Sequence, residues 1–200
     1  SLQPEQLAVV VGHGRERLVD HLASAFPGVA TVVQEQQLGT GHAVACALEE
    51  LPRLSGVVVV TYGDVPLLTG ETLAEHVRVH DERGDAVTLL TAEPADPTGY
   101  GRVVRDRSGA VVGVVEQKDA TSAQLAIRET NSGIYAFDAE VLRSALGQLS
   151  TDNAQGELYL TDVVALAHAA GHPVSALPTA DARQTEGVND RVQLAAVRRE

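Results

Sequence analysis

The chain contains 200 residues, 44% of them hydrophobic and 21% charged, which is ordinary globular usage and excludes a disordered or low-complexity chain. With 15 lysines and arginines against 27 aspartates and glutamates, the net charge is −12, and so acidic a surface argues against general nucleic-acid binding. The single cysteine excludes an internal disulfide or a multi-cysteine zinc site, and it favours a reducing compartment.

Short apolar runs alternate with helical patterns in the first half of the chain. Residues 7–11 and 57–61 are nearly continuous β-branched runs, which predict strands buried on both faces. Residues 15–26 and 42–51 carry apolar side chains at helical spacing, and residues 31–34 form a short strand before the second of these helices. The alternation of strand and helix predicts an α/β fold with an open, mostly parallel sheet of the doubly wound type.

The second half predicts antiparallel additions to that sheet. Expected strands cover residues 86–90, 101–105, 109–115 and 130–137, and expected helices cover residues 139–149, 157–170 and 191–200. The tripeptide Asp106-Arg107-Ser108 reads as a hairpin turn between two of the strands. Because the chain shows no repeat, no linker and no run of about 18 apolar residues, we predict one mixed α/β domain and no membrane-spanning helix.

Asp64 is the strongest candidate for chemistry, because ligands of an open parallel sheet bind outside the carboxyl ends of its strands. The segment T-Y-G-D-V-P, which contains Asp64, follows a strand of four valines. A carboxylate at such a strand end suits Mg²⁺, which takes one or two protein oxygens and completes its shell with water and substrate phosphates. The alternative is that Asp64 only caps a turn.

A glycine-containing loop between a predicted strand and a predicted helix is the second candidate. Gly39 and Gly41 allow a ligand to approach the backbone, and the amides at the start of the following helix suit anions or base carbonyls. Gln34 and the backbone near Thr40 are able to recognise the edge of a base, since an amide both donates and accepts hydrogen bonds. The alternative is a plain tight turn.

Four further candidates lie at or near element ends. Gly101 in the segment T-G-Y-G-R indicates close backbone approach or a bulge. Glu116 ends a strand, where it either binds sugar hydroxyls or is solvated in a turn. Asn131 within an apolar strand needs a polar partner, from ligand or protein. Asn189 offers an oxygen to a metal or an N-cap to the last helix. Cys46 is predicted to be a core residue rather than a nucleophile.

Taken in order, these segments closely resemble the uridyltransferase (pyrophosphorylase) domain of the bacterial bifunctional N-acetylglucosamine-1-phosphate uridyltransferase/glucosamine-1-phosphate acetyltransferase family. The matching stretches are Q-E-Q-Q-L-G-T-G-H-A-V, T-Y-G-D-V-P-L-L, G-Y-G-R-V-V, V-E-Q-K-D-A, N-S-G-I-Y-A-F, E-L-Y-L-T-D-V and E-G-V-N-D-R-V-Q-L. They run from about Val9 to the end of the chain. The combination of Q-L-G-T-G-H-A with Y-G-D and G-V-N separates this family from most other sugar nucleotidyltransferases.

The resemblance implies a Rossmann-like nucleotidyltransferase fold of the GT-A-like kind, with a mostly parallel sheet and antiparallel additions. It implies a cytoplasmic, Mg²⁺-dependent enzyme that converts UTP and N-acetylglucosamine 1-phosphate into UDP-N-acetylglucosamine and pyrophosphate for cell-wall precursor synthesis. Its partners would be these small molecules, without nucleic acid or membrane. The alternatives are a non-catalytic ligand-binding or interaction fragment, or a related sugar-1-phosphate nucleotidyltransferase with another sugar or base.

The resemblance also implies roles for individual residues. The uracil would be held by Gln34, Gly39 and Thr40, and the sugar nucleotide would be contacted by Tyr62 and Gly63. N-acetylglucosamine would be bound by Gly101, Glu116 and Asn131. Asp64 and Asn189 would hold Mg²⁺ and so act in catalysis, with Asn189 also close to the substrate.

The sequence departs from the family pattern at both ends. The family opens with a glycine-rich phosphate loop, L-A-A-G-x-G-T-R-M, followed by a P-K pair, and neither occurs in this chain, which also contains no methionine. We therefore expect residues 1–190 to be a nucleotidyltransferase domain without its first strand and glycine-rich loop. We expect residues 191–200 to start a helix that leads to an absent C-terminal domain, through which the parent protein would form a homotrimer. Asp190 stands where a second Asn is expected.

Overall fold

The computed structural model describes residues 2–51, 54–188 and 190–198. The strands are β1 (Ala8–Val11), β2 (Ala30–Val33), β3 (Val57–Val60), β4 (Val87–Ala92), β5 (Arg102–Arg105), β6 (Val111–Val115), β7 (Thr130–Asp138) and β8 (Val174–Pro178). The α-helices are α1 (Glu16–Ala25), α2 (Thr40–Glu50), α3 (Gly70–Arg83), α4 (Ser122–Leu125), α5 (Ala139–Leu146), α6 (Asp162–Ala169) and α7 (Arg191–Val197), and a 3-10 helix covers Ala182–Thr185. Among these residues, none of the helices has the length and apolar character needed to cross a membrane.

The strands form two sheets. β1 and β2 pair in parallel as a two-stranded sheet. The larger sheet has the order β6-β5-β7-β4-β8, and β3 pairs with β7 beside this path. Strand β7 is therefore the centre of the larger sheet, since it contacts β3, β4 and β5.

The α/β class and the antiparallel additions are confirmed, but the balance of strand directions differs from the prediction of a mostly parallel sheet. Of the ladders in the larger sheet, only β4–β8 is parallel within the described part of the chain. The ladders β3–β7, β4–β7, β5–β6 and β5–β7 are antiparallel. The physical reason is that β7 occupies the centre and runs against all of its neighbours, a property of chain direction that hydrophobic patterning does not encode.

The core lies between the larger sheet and two helices. Every residue of β4 is buried, and so is β7 up to Phe137. Tyr135 and Phe137 stack with ring centroids 5.1 Å apart, and Leu142 of α5 and Val163 of α6 pack on the same cluster. Helix α5 begins at β7 because the Asp138 carboxylate accepts hydrogen bonds from the first amides of the helix, which would otherwise lack partners.

The structure corrects one predicted helix and adds four elements. The helix expected over 157–170 begins only at Asp162. The preceding residues 157–161 are a non-helical segment that ends in a turn, and the backbone of Leu158 bonds to Leu38 and to the first turn of α2. The Leu158 N–H donates to Leu38 O at 2.7 Å, and its carbonyl accepts from Gly41 N at 2.8 Å. Helices α3 and α4, the 3-10 helix and strand β8 were not predicted. Segment 157–161 is important for the site described below.

Candidate active site

One pocket of about 350 Å³ lies where several strands of the larger sheet end. It is lined by Tyr62, Asp64, Val65, Thr98, Gly99, Tyr100, Gly101, Glu116, Asn131, Ser132, Gly133, Thr185, Gly187 and Gln193. These residues come from the loop after β3, the loop before β5, the end of β6, the first half of β7 and the C-terminal segment. Five residues predicted from separate motifs are thus brought together. They are Tyr62, Asp64, Gly101, Glu116 and Asn131.

Asp64 lies on the wall of this pocket in the loop that follows β3. Its backbone carbonyl accepts a hydrogen bond from Val188 N at 2.8 Å, which brings the C-terminal segment beside the loop. Asn189, predicted as the second metal ligand, lies outside the described residues. Gly63, predicted to contact the sugar nucleotide, precedes Asp64 but is not among the lining residues.

The Tyr62 ring packs directly on the backbone of Gly133 in β7. A β-carbon built on Gly133 would lie 1.8 Å from Tyr62 Cε2, and the residue has φ +78°, so only glycine fits this contact without rearrangement. Partial burial, followed by the negative charges of Glu116 and Asp64, raises the pKa of Tyr62 to about 12. The phenol therefore stays protonated and able to donate a hydrogen bond at neutral pH.

Glu116 stands at the end of β6 beside Gly101. A β-carbon on Gly101 would lie 3.5 Å from both carboxylate oxygens of Glu116 and 3.0 Å from Val114 Cγ1, so the glycine leaves the carboxylate uncovered. Burial raises the pKa of Glu116, and the nearby charges of Asp119 and Asp162 raise it further. The Thr161 hydroxyl opposes this shift by donating a hydrogen bond to Oε1 at 3.2 Å.

Asn131 is the buried polar residue that β7 contributes to the pocket. It is only 8% exposed, and its side-chain Oδ1 accepts a hydrogen bond from Gly133 N at 3.2 Å. Its backbone N–H donates to Gly101 O at 2.9 Å, which holds the two residues side by side. Since Oδ1 faces its own strand, the amide nitrogen is the donor group of Asn131. The side chain also interacts with the Tyr135 hydroxyl, which leaves one of its two amide hydrogens for a ligand.

Gln34, Gly39 and Thr40 form a second cluster, outside the lining of the pocket. Gln34 Nε2 donates to Gly39 O at 3.0 Å. Gly39 has φ +109°, and a β-carbon there would lie 2.6 Å from Leu158 O. The Thr40 hydroxyl accepts a hydrogen bond from Leu160 N at 3.1 Å, and Thr161 in the same segment bonds to Glu116. Segment 157–161 therefore ties the second cluster to the pocket.

Several site residues were missed by the sequence analysis. Thr161 was not predicted as a site residue, because the stretch E-L-Y-L-T-D that contains it is typical of the start of a helix. That stretch was the one sequence feature that could have indicated it. Thr185, Gly187 and Gln193 also line the pocket. Gly187 and Gln193 stand in the stretch E-G-V-N-D-R-V-Q-L, from which only Asn189 was predicted as a site residue. Cys46, predicted to be a core residue, is only half-buried and is not among the buried core residues of the described chain. Burial raises the pKa of its thiol, which does not favour a nucleophile.

Comparison with known proteins identifies the class. A family model described as nucleotidyl transferase matches residues 3–183, and the chain belongs to this family. The fold is similar to that of a solved structure described as UDP-glucose pyrophosphorylase complexed with UDP-glucose. The TM-score is 0.68 with 13% identity, and the match covers 98% of this chain and 82% of the other.

Curated relatives narrow the comparison further. The chain is 60% identical over 205 residues to the bifunctional protein GlmU of Cutibacterium acnes, covering 100% of this chain and 49% of the relative. It is 56% identical to GlmU of Streptomyces coelicolor, covering 99% of this chain and 42% of the relative. It is 53% identical to GlmU of Thermobifida fusca, with the same coverage of 99% and 42%. The chain thus spans half or less of the length of these relatives.

Proposed function

We propose that this chain is a uridyltransferase unit that forms UDP-N-acetylglucosamine and pyrophosphate from UTP and N-acetylglucosamine 1-phosphate, a reaction that supplies cell-wall precursors. The observation that carries the proposal is the meeting of Tyr62, Asp64, Gly101, Glu116 and Asn131, from distant parts of the chain, around one pocket at the strand ends. The high identity to proteins named GlmU supports it. Residues 1–190 are assigned to this nucleotidyltransferase domain.

The sugar is bound by Gly101, Glu116 and Asn131 in this proposal. An ionised carboxylate only accepts hydrogen bonds, so Glu116 pairs with sugar hydroxyls, while the amide nitrogen of Asn131 donates. The absence of a side chain at Gly101 lets the sugar reach Glu116, whose oxygens would lie 3.5 Å from a β-carbon there. Uracil is held by the separate cluster of Gln34, Gly39 and Thr40.

Asp64 and Asn189 are proposed to hold Mg²⁺. Oxygen ligands are the ones Mg²⁺ takes, and one or two from the protein suffice when substrate phosphates supply others. Asp64 lies on the pocket wall together with Glu116, and these carboxylates repel the substrate phosphates. When bound, a divalent cation offsets that repulsion and neutralises charge on the phosphates.

The chemical step needs little covalent help from the protein. A phosphate oxygen of N-acetylglucosamine 1-phosphate attacks the α-phosphorus of UTP, a new P–O bond forms, and the bond to the β-phosphate oxygen breaks so that pyrophosphate leaves with its electron pair. The residues of the chain act by holding the base on one side and the sugar on the other, so that attacking and leaving oxygens are in line. Segment 157–161 fixes the distance between these two parts, since it is bonded to both.

The test is pyrophosphate release from UTP and N-acetylglucosamine 1-phosphate with Mg²⁺, measured for this chain and for a longer form extended upstream. We expect turnover in the longer form and a loss of about 100-fold or more in kcat for Asp64→Ala. Asp152→Ala, an exposed aspartate away from the pocket, is the matched control. Silence of both forms contradicts the proposal, and full activity of the Asp64 variant contradicts the metal assignment. If dTTP is turned over faster than UTP, or glucose 1-phosphate faster than N-acetylglucosamine 1-phosphate, the chain is instead a related nucleotidyltransferase.

A further inference from the structure

A chain of three side chains lies at the start of α2, next to the proposed uracil cluster. Gln34 Nε2 is 3.0 Å from Gly39 O and 3.0 Å from His42 Nδ1. On the other side of the imidazole, His42 Nε2 is 3.7 Å from Cys46 Sγ. Gln34 is only 8% exposed, so these contacts are made with little competition from water. His42 and Cys46 are one helical turn apart and face the same side of α2.

These contacts determine where the protons are. A backbone carbonyl only accepts hydrogen bonds, so the group of Gln34 that faces Gly39 O is the NH₂. The same NH₂ group has its second hydrogen for His42 Nδ1, which must then be the unprotonated nitrogen of a neutral imidazole. The proton of His42 is on Nε2, from which it is donated to Cys46 Sγ.

The orientation of Gln34 follows from this arrangement. Both hydrogens of its amide are used within the protein, and its Oε1 makes no hydrogen bond within the described part of the chain. Rotating the amide by half a turn would place Oε1 against Gly39 O and leave His42 Nδ1 without a donor, so the rotated form is disfavoured. Gln34 thus presents an acceptor to its ligand.

We propose that His42 is a positioning residue that, together with Gly39 O, fixes the amide of Gln34 with its oxygen towards the nucleotide, so that the site favours uracil over cytosine. This rests on the proposed function, in which Gln34 faces the base. Uracil carries a hydrogen-bond donor, N3–H, where cytosine carries a bare acceptor nitrogen. An oxygen presented by Gln34 pairs with the first and repels the second, and a site with a fixed acceptor discriminates strongly against a ligand without the matching donor.

The test compares two nearly isosteric variants, His42→Asn and His42→Leu. The asparagine side chain keeps an acceptor near the position of Nδ1, whereas leucine removes it. We expect the preference for UTP over CTP, measured as the ratio of kcat/KM, to be retained in His42→Asn and to fall about fivefold to tenfold in His42→Leu. The change should appear in the KM for UTP and not in the KM for the sugar phosphate. His172→Leu, at an exposed histidine outside the site, is the control.

A loss of stability alone would lower activity with both nucleotides and leave their ratio unchanged. An unchanged ratio in His42→Leu, or an equal loss in both variants, therefore overturns the proposal.

A second measurement does not depend on turnover. In protein labelled with ¹⁵N-histidine at mildly alkaline pH, NMR is expected to show the His42 proton on Nε2, and a proton on Nδ1 overturns the proposal. Titration of the same sample with UTP and CTP is expected to show tighter binding of UTP; equal binding of both, or binding of neither, also overturns it. If neither the chain nor its longer form turns over nucleotide, the proposed function fails, while these two measurements still decide the role of His42.

Discussion

At the scale of single residues, the contact between Tyr62 and Gly133 is the most restrictive feature of the pocket. We expect Gly133→Ala to cost about 1–3 kcal/mol more in free energy of unfolding than Gly156→Ala. Both glycines have positive φ, but a β-carbon at Gly156 would meet nothing within 4 Å, whereas at Gly133 it would meet the ring at 1.8 Å. Urea unfolding of both variants measures the difference.

A second variant isolates the cause. In a Tyr62→Ala background, the β-carbon of Gly133→Ala has no ring to displace, so its cost should fall to that of Gly156→Ala, which is backbone strain alone. If Gly133→Ala lowers the free energy of unfolding as much in the Tyr62→Ala background as in the original protein, the contact with the ring is not what restricts this position to glycine.

Glu116 provides a prediction about pH. Burial raises its pKa in the folded protein above that of the unfolded chain. A carboxyl group of this kind contributes stability that is present below its unfolded pKa and is lost as pH rises through the folded pKa. We therefore expect Glu116→Gln, which keeps an acceptor for Thr161, to unfold at higher urea than the original protein at neutral pH, and this advantage to disappear in acid.

In the proposed role of Glu116 as a sugar ligand, the same substitution should weaken sugar binding, because the amide replaces a charged acceptor by a neutral one. The KM for N-acetylglucosamine 1-phosphate is expected to rise while the KM for UTP changes little. A variant that is both less stable at neutral pH and unaltered in KM would contradict the assignment of Glu116 as a buried ligand group.

At the scale of elements, the bonds between loop 38–41 and segment 157–161 are the link between the two halves of the site. We expect Gly39→Ala to break this link, because its β-carbon would lie 2.6 Å from Leu158 O and φ is +109°. The KM values for both substrates should rise together, since the sugar side depends on Thr161. Gly28→Ala, with φ +108° and nothing within 4 Å, is the control for backbone strain. A rise in the KM for UTP alone would contradict the link.

How far the sequence predicts these elements depends on which residues face the core. The hairpin turn at 106–108 was predictable because the Asp106 carboxylate makes the turn locally, accepting from Ser108 N and Ala110 N. Helix α3 was not, because two of its buried residues, His76 and His80, are polar and interrupt the apolar pattern. Segment 157–161 was misassigned because its partners lie more than 100 residues away in sequence (the Leu158 N–H donates to Leu38 O, 120 residues earlier).

The sequence motifs pointed to four residues that share one pocket in the structure. Asp64, Gly101, Glu116 and Asn131 each stand in a short motif whose composition is unusual for a plain strand end, and the structure places all four at one pocket. The motifs do not predict which protein groups form hydrogen bonds with each of these side chains. Neither Thr161 beside Glu116 nor His42 beside Gln34 has a local signal, since both contacts depend on tertiary packing or on the tautomer.

At the scale of the whole molecule, α3 couples global stability to pH. His76 is fully buried and bonded through Nε2 to Thr88 O at 3.0 Å, and His80 Nδ1 lies 2.9 Å from the Thr88 hydroxyl. Burial lowers the pKa of both histidines. At His76, the nearby His80 lowers the pKa further. At His80, the carboxylates of Asp85, Asp81 and Asp138 act in the opposite direction and raise it.

A lowered histidine pKa means that the folded state binds its proton less readily than the unfolded chain. The stability from the neutral form is present above the unfolded pKa of about 6.5 and is lost as pH falls through the folded pKa. We expect the urea midpoint of unfolding to decline as the pH falls below about 6.5. In His76→Gln, the midpoint at neutral pH should be lower, and its decline with falling pH should be smaller. Urea unfolding across this range measures it, and an equally steep decline in the variant would contradict the role of His76.

The central position of β7 has a consequence for how the pocket adapts to its ligands. The strand that carries Asn131 and Gly133 is buried over nearly its whole length, and beyond the pocket, from Tyr135 to Phe137, it is hydrogen-bonded to β3 on one edge and to β4 on the other. Amides in that half of the strand exchange with solvent only when the molecule opens globally, so the strand that anchors the pocket should be among the slowest-exchanging parts of the protein. The fit to different substrates must then be made by the walls, the loop at 98–101 and the segment at 185–188, which lie outside the sheet.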